Sequence, residues 1–138
     1  MLSSHIVSCG MDKSVILWDV ATGQVVRKYR GHLSTVNSVR FNEESTVAIS
    51  GSVDTTLRCW DCRSKNPEAF QIMDDAKDSI SSVQVTDHEI LAGSLDGQVR
   101  RYDIRNGRLV SDEMARKFII QPKETLPSLI FLTEANLI

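Results

Sequence analysis

The stretch AISGSVDTTLRCWD at residues 48–61 is matched, without a gap, by IVSCGMDKSVILWD at 6–19 and ILAGSLDGQVRRYD at 90–103. The aspartates of the three copies, Asp12, Asp54 and Asp96, follow one another at intervals of 42 residues. The copies end in Trp-Asp, Trp-Asp and Tyr-Asp at the same step. A lone Trp-Asp is common by chance, but three fourteen-residue copies in register are not. The chain is therefore built from a repeated unit.

The period and the strand chemistry indicate the architecture of that unit. A repeat of ~40–45 residues with a Gly-His and Trp-Asp signature is typical of one four-stranded propeller blade. Short β-rich runs and turn-forming residues alternate within each unit, no segment has a sustained helical period, and the last outer strand is expected at 108–110. The sequence predicts an all-β, partial propeller of antiparallel blades. Its expected divisions are the end of a first blade (1–30), a second blade (31–73), a third blade (74–111) and a non-repeat tail (112–138).

Composition excludes several classes of function. The formal net charge of -2 argues against direct nucleic-acid binding, and no apolar run approaches the ~18 residues of a membrane span. Three cysteines are an odd number and do not form a disulfide framework, which favours a reducing compartment. We expect neither a metal nor a cofactor, nor a small-molecule substrate.

These repeats resemble the WD-repeat family. Beyond the signature itself, the segments VILWDVATGQVVRK (15–28), RCWDCR (58–63) and DHEILAGS (87–94) followed by VRRYD (99–103) resemble one scaffold type within it, over roughly residues 4 to 111. The resemblance implies a non-catalytic scaffold whose partners are proteins of the ERK/MAP kinase cascade, in the cytoplasm and also in the nucleus. The alternative is a structural subunit associated with the spliceosome in pre-mRNA splicing.

The resemblance also implies a structural tetrad, formed by His32, Ser50, Asp54 and Trp60. Asp54 would accept a hydrogen bond from the His32 ring, and Ser50 would bond both the other ring nitrogen and the Trp60 indole. A Ser-His-Asp set also suggests a hydrolase triad. Against that alternative, no equivalent histidine is visible in the first unit, and the third unit has Ala92 and Tyr102 at the serine and tryptophan positions. We expect no enzyme activity.

A candidate partner-binding rim follows from the same architecture. In a propeller, the residues that precede the repeat aspartates lie in tight turns on one rim, and turns have little local reason to hold apolar side chains. Residues at the start of the innermost strands should face the same rim. The predicted contact residues are Met11, Thr35, Asn37, Val53, Asp78 and Leu95.

Two further groups of residues, a cysteine pair and an arginine cluster, have a structural interpretation as well as a functional one. Cys59 and Cys62 form a Cys-x-x-Cys, but a strand places residues three apart on opposite faces, so we expect structural thiols rather than a zinc or redox pair. Arg100 and Arg101, with Arg105 and Arg108, form a basic cluster. RNA contact is the functional alternative, but without interleaved aromatics we expect a solvated surface.

The pattern stops after Ser111, and we assign no function to the tail, which includes apolar runs at 118–120 and 129–132. We expect a partial, truncated or alternatively spliced product. We also expect that this chain alone does not form a closed, stable propeller, because radial repeats depend on neighbours on both sides.

Overall fold

The computed structural model describes residues 5–114, which form three antiparallel sheets that contain no helix. The first sheet holds β1 (His5–Cys9), β2 (Ser14–Asp19) and β3 (Val25–Arg30). The second holds β4 (Val36–Phe41), β5 (Val47–Ser52), β6 (Leu57–Asp61) and β7 (Gln71–Met73). The third holds β8 (Ile80–Val85), β9 (Glu89–Ser94), β10 (Gln98–Asp103) and β11 (Leu109–Met114). We call these sheets blades I, II and III. The predicted all-β, partial propeller of antiparallel four-stranded blades is confirmed: blades II and III have four strands each, and the described part of blade I has three.

The last strand departs from the sequence prediction. We expected the outer strand of blade III at 108–110, whereas β11 spans Leu109–Met114 and pairs Asp112 with Arg100. A strand needs only a pairing partner, and β10 is long enough to extend the ladder past the last repeat residue. The predicted boundaries of the domains stay predictions, and the tail from residue 115 onward lies outside the described residues.

Both repeated aspartates of each unit close a turn. The Oδ1 atoms of Asp12, Asp54 and Asp96 accept the backbone N–H two residues further on, at 3.2, 2.9 and 3.1 Å. The second aspartates, in the Trp-Asp and Tyr-Asp pairs, do the same at the other end of the blade. Aspartate side chains commonly form this turn by accepting a hydrogen bond from the backbone two residues further on. It explains why the aspartates recur in every unit.

The blades pack face to face through two apolar cores. The core between blades I and II contains Trp60, Tyr29 and Val15, and the core between blades II and III contains Ile49, Ile80 and Tyr102. The inner strand of blade III, β8, packs closely against β5 of blade II: a β-carbon on Gly51 would overlap the side chain of Ile80. Glycine at this position therefore sets how closely blade III approaches blade II.

The strand order places alternate turns on two opposite rims. One rim holds the turns with Asp12, Asp54 and Asp96 together with the connections between blades at 31–35 and 74–79. We call it the aspartate rim. The opposite rim holds the connections at 20–24, 42–46, 62–70, 86–88 and 104–108.

Candidate functional site

A continuous hydrogen-bonded cluster links the aspartate rim of blade II to its interior. The Nδ1 atom of His32 lies 2.9 Å from Oδ2 of Asp54, and its Nε2 atom lies 2.7 Å from Oγ of Ser50. The indole N–H of Trp60 donates to the same Ser50 oxygen over 2.9 Å. The structure thus brings together all four residues of the predicted tetrad. The cluster ties the connection before the inner strand to strands β5 and β6.

The surroundings of the cluster fix its protonation state. Burial lowers the pKa of His32 below its ordinary value, although the hydrogen bond and charge of Asp54 act in the opposite direction. For Asp54, burial alone would raise the pKa, but hydrogen bonds from Thr56, Leu33 and His32 outweigh it and hold the pKa far below the usual range. A neutral imidazole next to a carboxylate carries its proton on Nδ1 and accepts a hydrogen bond from the Ser50 hydroxyl at Nε2.

The order of contacts, serine to histidine to aspartate, is that of a hydrolase triad, but the hydroxyl has no access to substrate. Ser50 is 0% exposed, and its oxygen already accepts the Trp60 indole N–H. A nucleophile must reach a substrate carbonyl, and the oxyanion that forms needs donors around it. Every polar atom of this cluster is instead used to satisfy another, which is what a buried network requires to be stabilising.

Blade I holds a partial version of the cluster. The Trp18 indole N–H donates to Ser8 over 2.8 Å, as Trp60 does to Ser50. Asp12 accepts the Ser14 hydroxyl at 2.6 Å, and this bond is the main reason that the pKa of Asp12 is lowered.

Blade III replaces the tetrad with a buried arginine. The amide of Lys77 donates to Asp96 as that of Leu33 does to Asp54, so Ala76 occupies the place of His32. The Arg100 guanidinium lies 3.0 Å from Oδ2 of Asp96 and donates to Ser94 over 2.9 Å. The small side chains of Ala76 and Ala92 leave space for the Arg100 side chain. Its guanidinium neutralises the Asp96 carboxylate, which a histidine would otherwise have faced.

The prediction that the basic cluster of β10 and the following turn forms a solvated surface is therefore partly wrong. Arg100 is only 3% exposed, so it is not part of a solvated surface. Its Nε atom also lies 3.3 Å from Asp112 on β11. Arg101 pairs with Glu89 at 2.7 Å, whereas Arg105 and Arg108 are exposed as expected. A strand alternates its side chains, so consecutive arginines in β10 must face opposite sides of the blade.

Five of the six predicted contact residues lie on the aspartate rim, and Asn37 lies next to it in β4. Met11 is 85% exposed, Leu95 53% and Val53 40%, each in the turn that precedes a repeat aspartate. Asp78 is exposed in the connection to β8. The Thr35 carbonyl accepts the Ser52 hydroxyl. Asn37 is exposed as well, but its amide donates to the carbonyl of Ile80 over 2.8 Å and so also bridges two inner strands. A role for these residues in partner binding stays a prediction.

Sequence reasoning missed one rim residue. Leu33 is 75% exposed in the connection between blades I and II, directly after the Gly-His pair. The signal was an apolar residue in an otherwise polar connection. With Met11, Val53 and Leu95 it completes a set of four exposed apolar side chains on one rim.

The cysteine pair divides between two cores, as alternation along a strand predicts. Cys59 belongs to the core between blades II and III, and Cys62 packs against the core between blades I and II. Burial raises the pKa of Cys59 to about 12, so its thiol is unreactive at neutral pH. Within residues 5–114, no group of three His, Cys, Asp or Glu residues is placed to hold a metal ion. The same residues include no helix suited to crossing a membrane.

Comparison with known proteins gives two kinds of match. The family model described as WD domain, G-beta repeat matches residues 2–19 and 23–61. The chain is 66% identical over 161 residues to "WD repeat domain-containing protein 83" of Rattus norvegicus and 64% identical to the protein of that name from Xenopus tropicalis. Each alignment includes 79% of this chain and 48% of the relative. A "Guanine nucleotide-binding protein subunit beta" of Zea mays is 34% identical over 112 residues, with 75% of this chain and 29% of the relative covered.

These coverages show how much of a relative the chain represents. It spans about half the length of the vertebrate relatives that it matches. The vertebrate alignments are also longer than the 138-residue chain, because those relatives contain internal residues that this chain lacks.

Proposed function

The chain belongs to the WD-repeat family, and from that premise we propose that it is a non-catalytic scaffold that organises proteins of the ERK/MAP kinase cascade. The observation that carries the proposal is the set of exposed apolar side chains on the aspartate rim. These four side chains are exposed in turns and connections, so they add nothing to the buried cores of the chain; they are Met11, Leu33, Val53 and Leu95. Exposed apolar patches mark interaction surfaces.

The choice of kinase partners rests on resemblance. Segments 15–28, 58–63 and 87–94 are similar to those of a mitogen-activated protein kinase organizer, and this similarity includes residues outside the repeat signature. Function in the cytoplasm, and also in the nucleus, is part of the same proposal. The second candidate is a structural subunit associated with the spliceosome, which has the same fold but different partners.

Quantitative affinity capture from cells tests this proposal. We expect the tagged chain to enrich kinases of the cascade, and a Met11→Arg, Val53→Arg, Leu95→Arg variant to lose them. The matched control is Val20→Arg with Val110→Arg, because both valines are exposed but lie off the aspartate rim. Capture of spliceosomal proteins instead of kinases would favour the second candidate. Equal capture by all three proteins would contradict a role for the rim.

A further inference from the structure

The opposite rim contains a cavity between blades II and III that none of the features above explains. Its volume is about 250 Å³. Its floor is apolar and is built from Ile49, Cys59, Val47 and Ile104, and its mouth is lined by Phe70 and by the acids Glu43, Glu44 and Asp87. Sites for drug-sized ligands have volumes of ~300–1,000 Å³. This smaller cavity suits one large apolar side chain.

The mouth of the cavity has an exposed aromatic ring. Phe70 is 57% exposed, although its backbone is fixed by a hydrogen bond from its amide to the Cys59 carbonyl at 3.0 Å. A phenylalanine held on an ordered backbone loses little entropy when a partner covers it. Aromatic residues of this kind are enriched in protein interfaces.

The same mouth carries negative charge that no residue within 5–114 neutralises fully. The carboxyl groups of Glu43 and Asp87 approach each other from different blades, and this contact raises the pKa of Glu43, with a further contribution from Glu44. The guanidinium of the nearby Arg105 donates to both carboxylate oxygens of Asp103, at 3.1 and 3.3 Å, so its charge is already paired. A cation from outside would relieve the repulsion between the acids.

The acidic side of the mouth is also ordered. The Asn42 side chain accepts the amides of Thr46 and Val47 at 2.8 and 2.9 Å, which closes the turn that presents Glu43 and Glu44. On blade III, the amide of Ile104 donates to the His88 carbonyl at 3.0 Å and holds the turn that contains Asp87. Preorganised groups bind without paying for their own ordering.

From this arrangement we infer that the cavity is a second docking site, which takes a protein segment that inserts one apolar side chain between blades II and III and places an adjacent Lys or Arg against the acids. The site lies on the rim opposite the proposed partner surface. A scaffold with both sites holds two partners at once, one on each rim. The inference therefore goes beyond the proposed function and does not depend on which partner binds the aspartate rim.

Fluorescence anisotropy on the full 138-residue chain tests the inference with three labelled, capped peptides. The probe is Gly-Lys-Leu-Arg-Gly, the second peptide has Gly in place of Leu, and the third has Glu in place of Lys and Arg. We expect both altered peptides to bind roughly fivefold more weakly or worse, the loss that marks an anchoring contact. Added salt should weaken the probe but not the acidic peptide. Equal binding of all three peptides would overturn the inference.

Variants of the chain locate the site. Phe70→Ala and the pair Glu43→Gln with Asp87→Asn should each weaken the Lys-Leu-Arg probe about fivefold, whereas Met11→Ala on the aspartate rim should leave it unchanged. All the substituted residues are surface residues, and circular dichroism checks that each variant folds. Equal loss in Phe70→Ala and Met11→Ala would overturn the assignment to this cavity. Failure here would leave the capture experiment on the aspartate rim unaffected.

Discussion

Asp54 performs two separable tasks, one at each carboxylate oxygen. Its Oδ1 closes the turn by accepting the Thr56 amide at 2.9 Å, and its Oδ2 accepts both the His32 ring and the Leu33 amide at 2.9 Å. The repeat aspartates of the other blades keep the first task. The turn alone therefore accounts for an aspartate in every unit, while the histidine is needed only where the full cluster forms.

Replacing Asp54 separates the two tasks by comparison with Asp12. Asp54→Ala should lower the free energy of unfolding by about 1–3 kcal/mol, because it leaves a buried imidazole N–H unpaired as well as opening the turn. Asp12→Ala opens an equivalent turn without unpairing a histidine, so its loss should be smaller. Denaturation of soluble variants measures both. Equal losses would show that the cluster adds nothing to the turn.

The buried side chain of His32 should make the free energy of unfolding decrease as the pH falls. Its pKa in the folded chain lies below the ordinary 6.5, so the unfolded chain binds more protons as the pH falls past 6.5, and the folded state loses stability there. Asp54 has a pKa far below its ordinary 3.8 and stays ionised throughout this window.

The test compares the chain with a His32→Gln variant between pH 7.5 and 5.5. The advantage of the native chain in free energy of unfolding should shrink as the pH falls, because only the native chain carries the titrating imidazole at this position. Denaturant titrations at several pH values give the difference directly. An advantage that stays constant, or grows on acidification, would contradict a neutral, buried imidazole.

At the level of strands, the sequence predicted the elements that lie within the repeated segments. The period predicted the hairpins β5–β6 and β9–β10 because apolar alternation and turn residues coincide there. The short strand Gln71–Met73 has no such signal, since three residues are too few for a period. The burial of Arg100 was missed for another reason: it depends on Ala76 and Ala92, small residues on other segments, and single-sequence patterns do not show which side chains share a space.

The substitution of an arginine for the tetrad predicts an asymmetry between equivalent positions of β6 and β10. Arg100 has 4% of its side chain exposed and lies 3.0 Å from Asp96, whereas Arg58 has 14% exposed and lies 4.0 Å from Asp54. Arg100→Ala should cost about 3 kcal/mol or more, since it strands a carboxylate that is mostly buried. Arg58→Ala should cost less, because His32 still pairs with Asp54.

Chemical denaturation of the two alanine variants compares these positions directly. Arg100→Lys is the informative control, because it keeps the charge but loses the fork that reaches both Ser94 and Asp96. It should recover only part of the loss. A larger cost at Arg58 than at Arg100 would refute the idea that blade III relies on its arginine.

At the scale of the whole molecule, each blade has one face for the preceding unit and one for the following unit. Trp60 of blade II faces blade I, and the equivalent Tyr102 of blade III faces blade II. Because Val7 and Cys9 pack towards blade II, alternation along β1 turns Ile6 and Ser8, with the Trp18 indole, to the opposite face of blade I. Ile6 is 55% exposed there, and β1 is an edge strand of the described sheet.

An exposed apolar face beside an edge strand should make the purified 138-residue chain self-associate, since edges and apolar faces are the usual sites of unintended pairing. Size-exclusion chromatography with light scattering should show mass that rises with concentration. Ile6→Lys should reduce this association by placing a charge on the face. Val20→Lys, at a residue equally exposed at 55% but in a turn, should not. A monodisperse monomer with a sharp cooperative unfolding transition would contradict the prediction, because it would require this face of blade I to be covered within the chain itself.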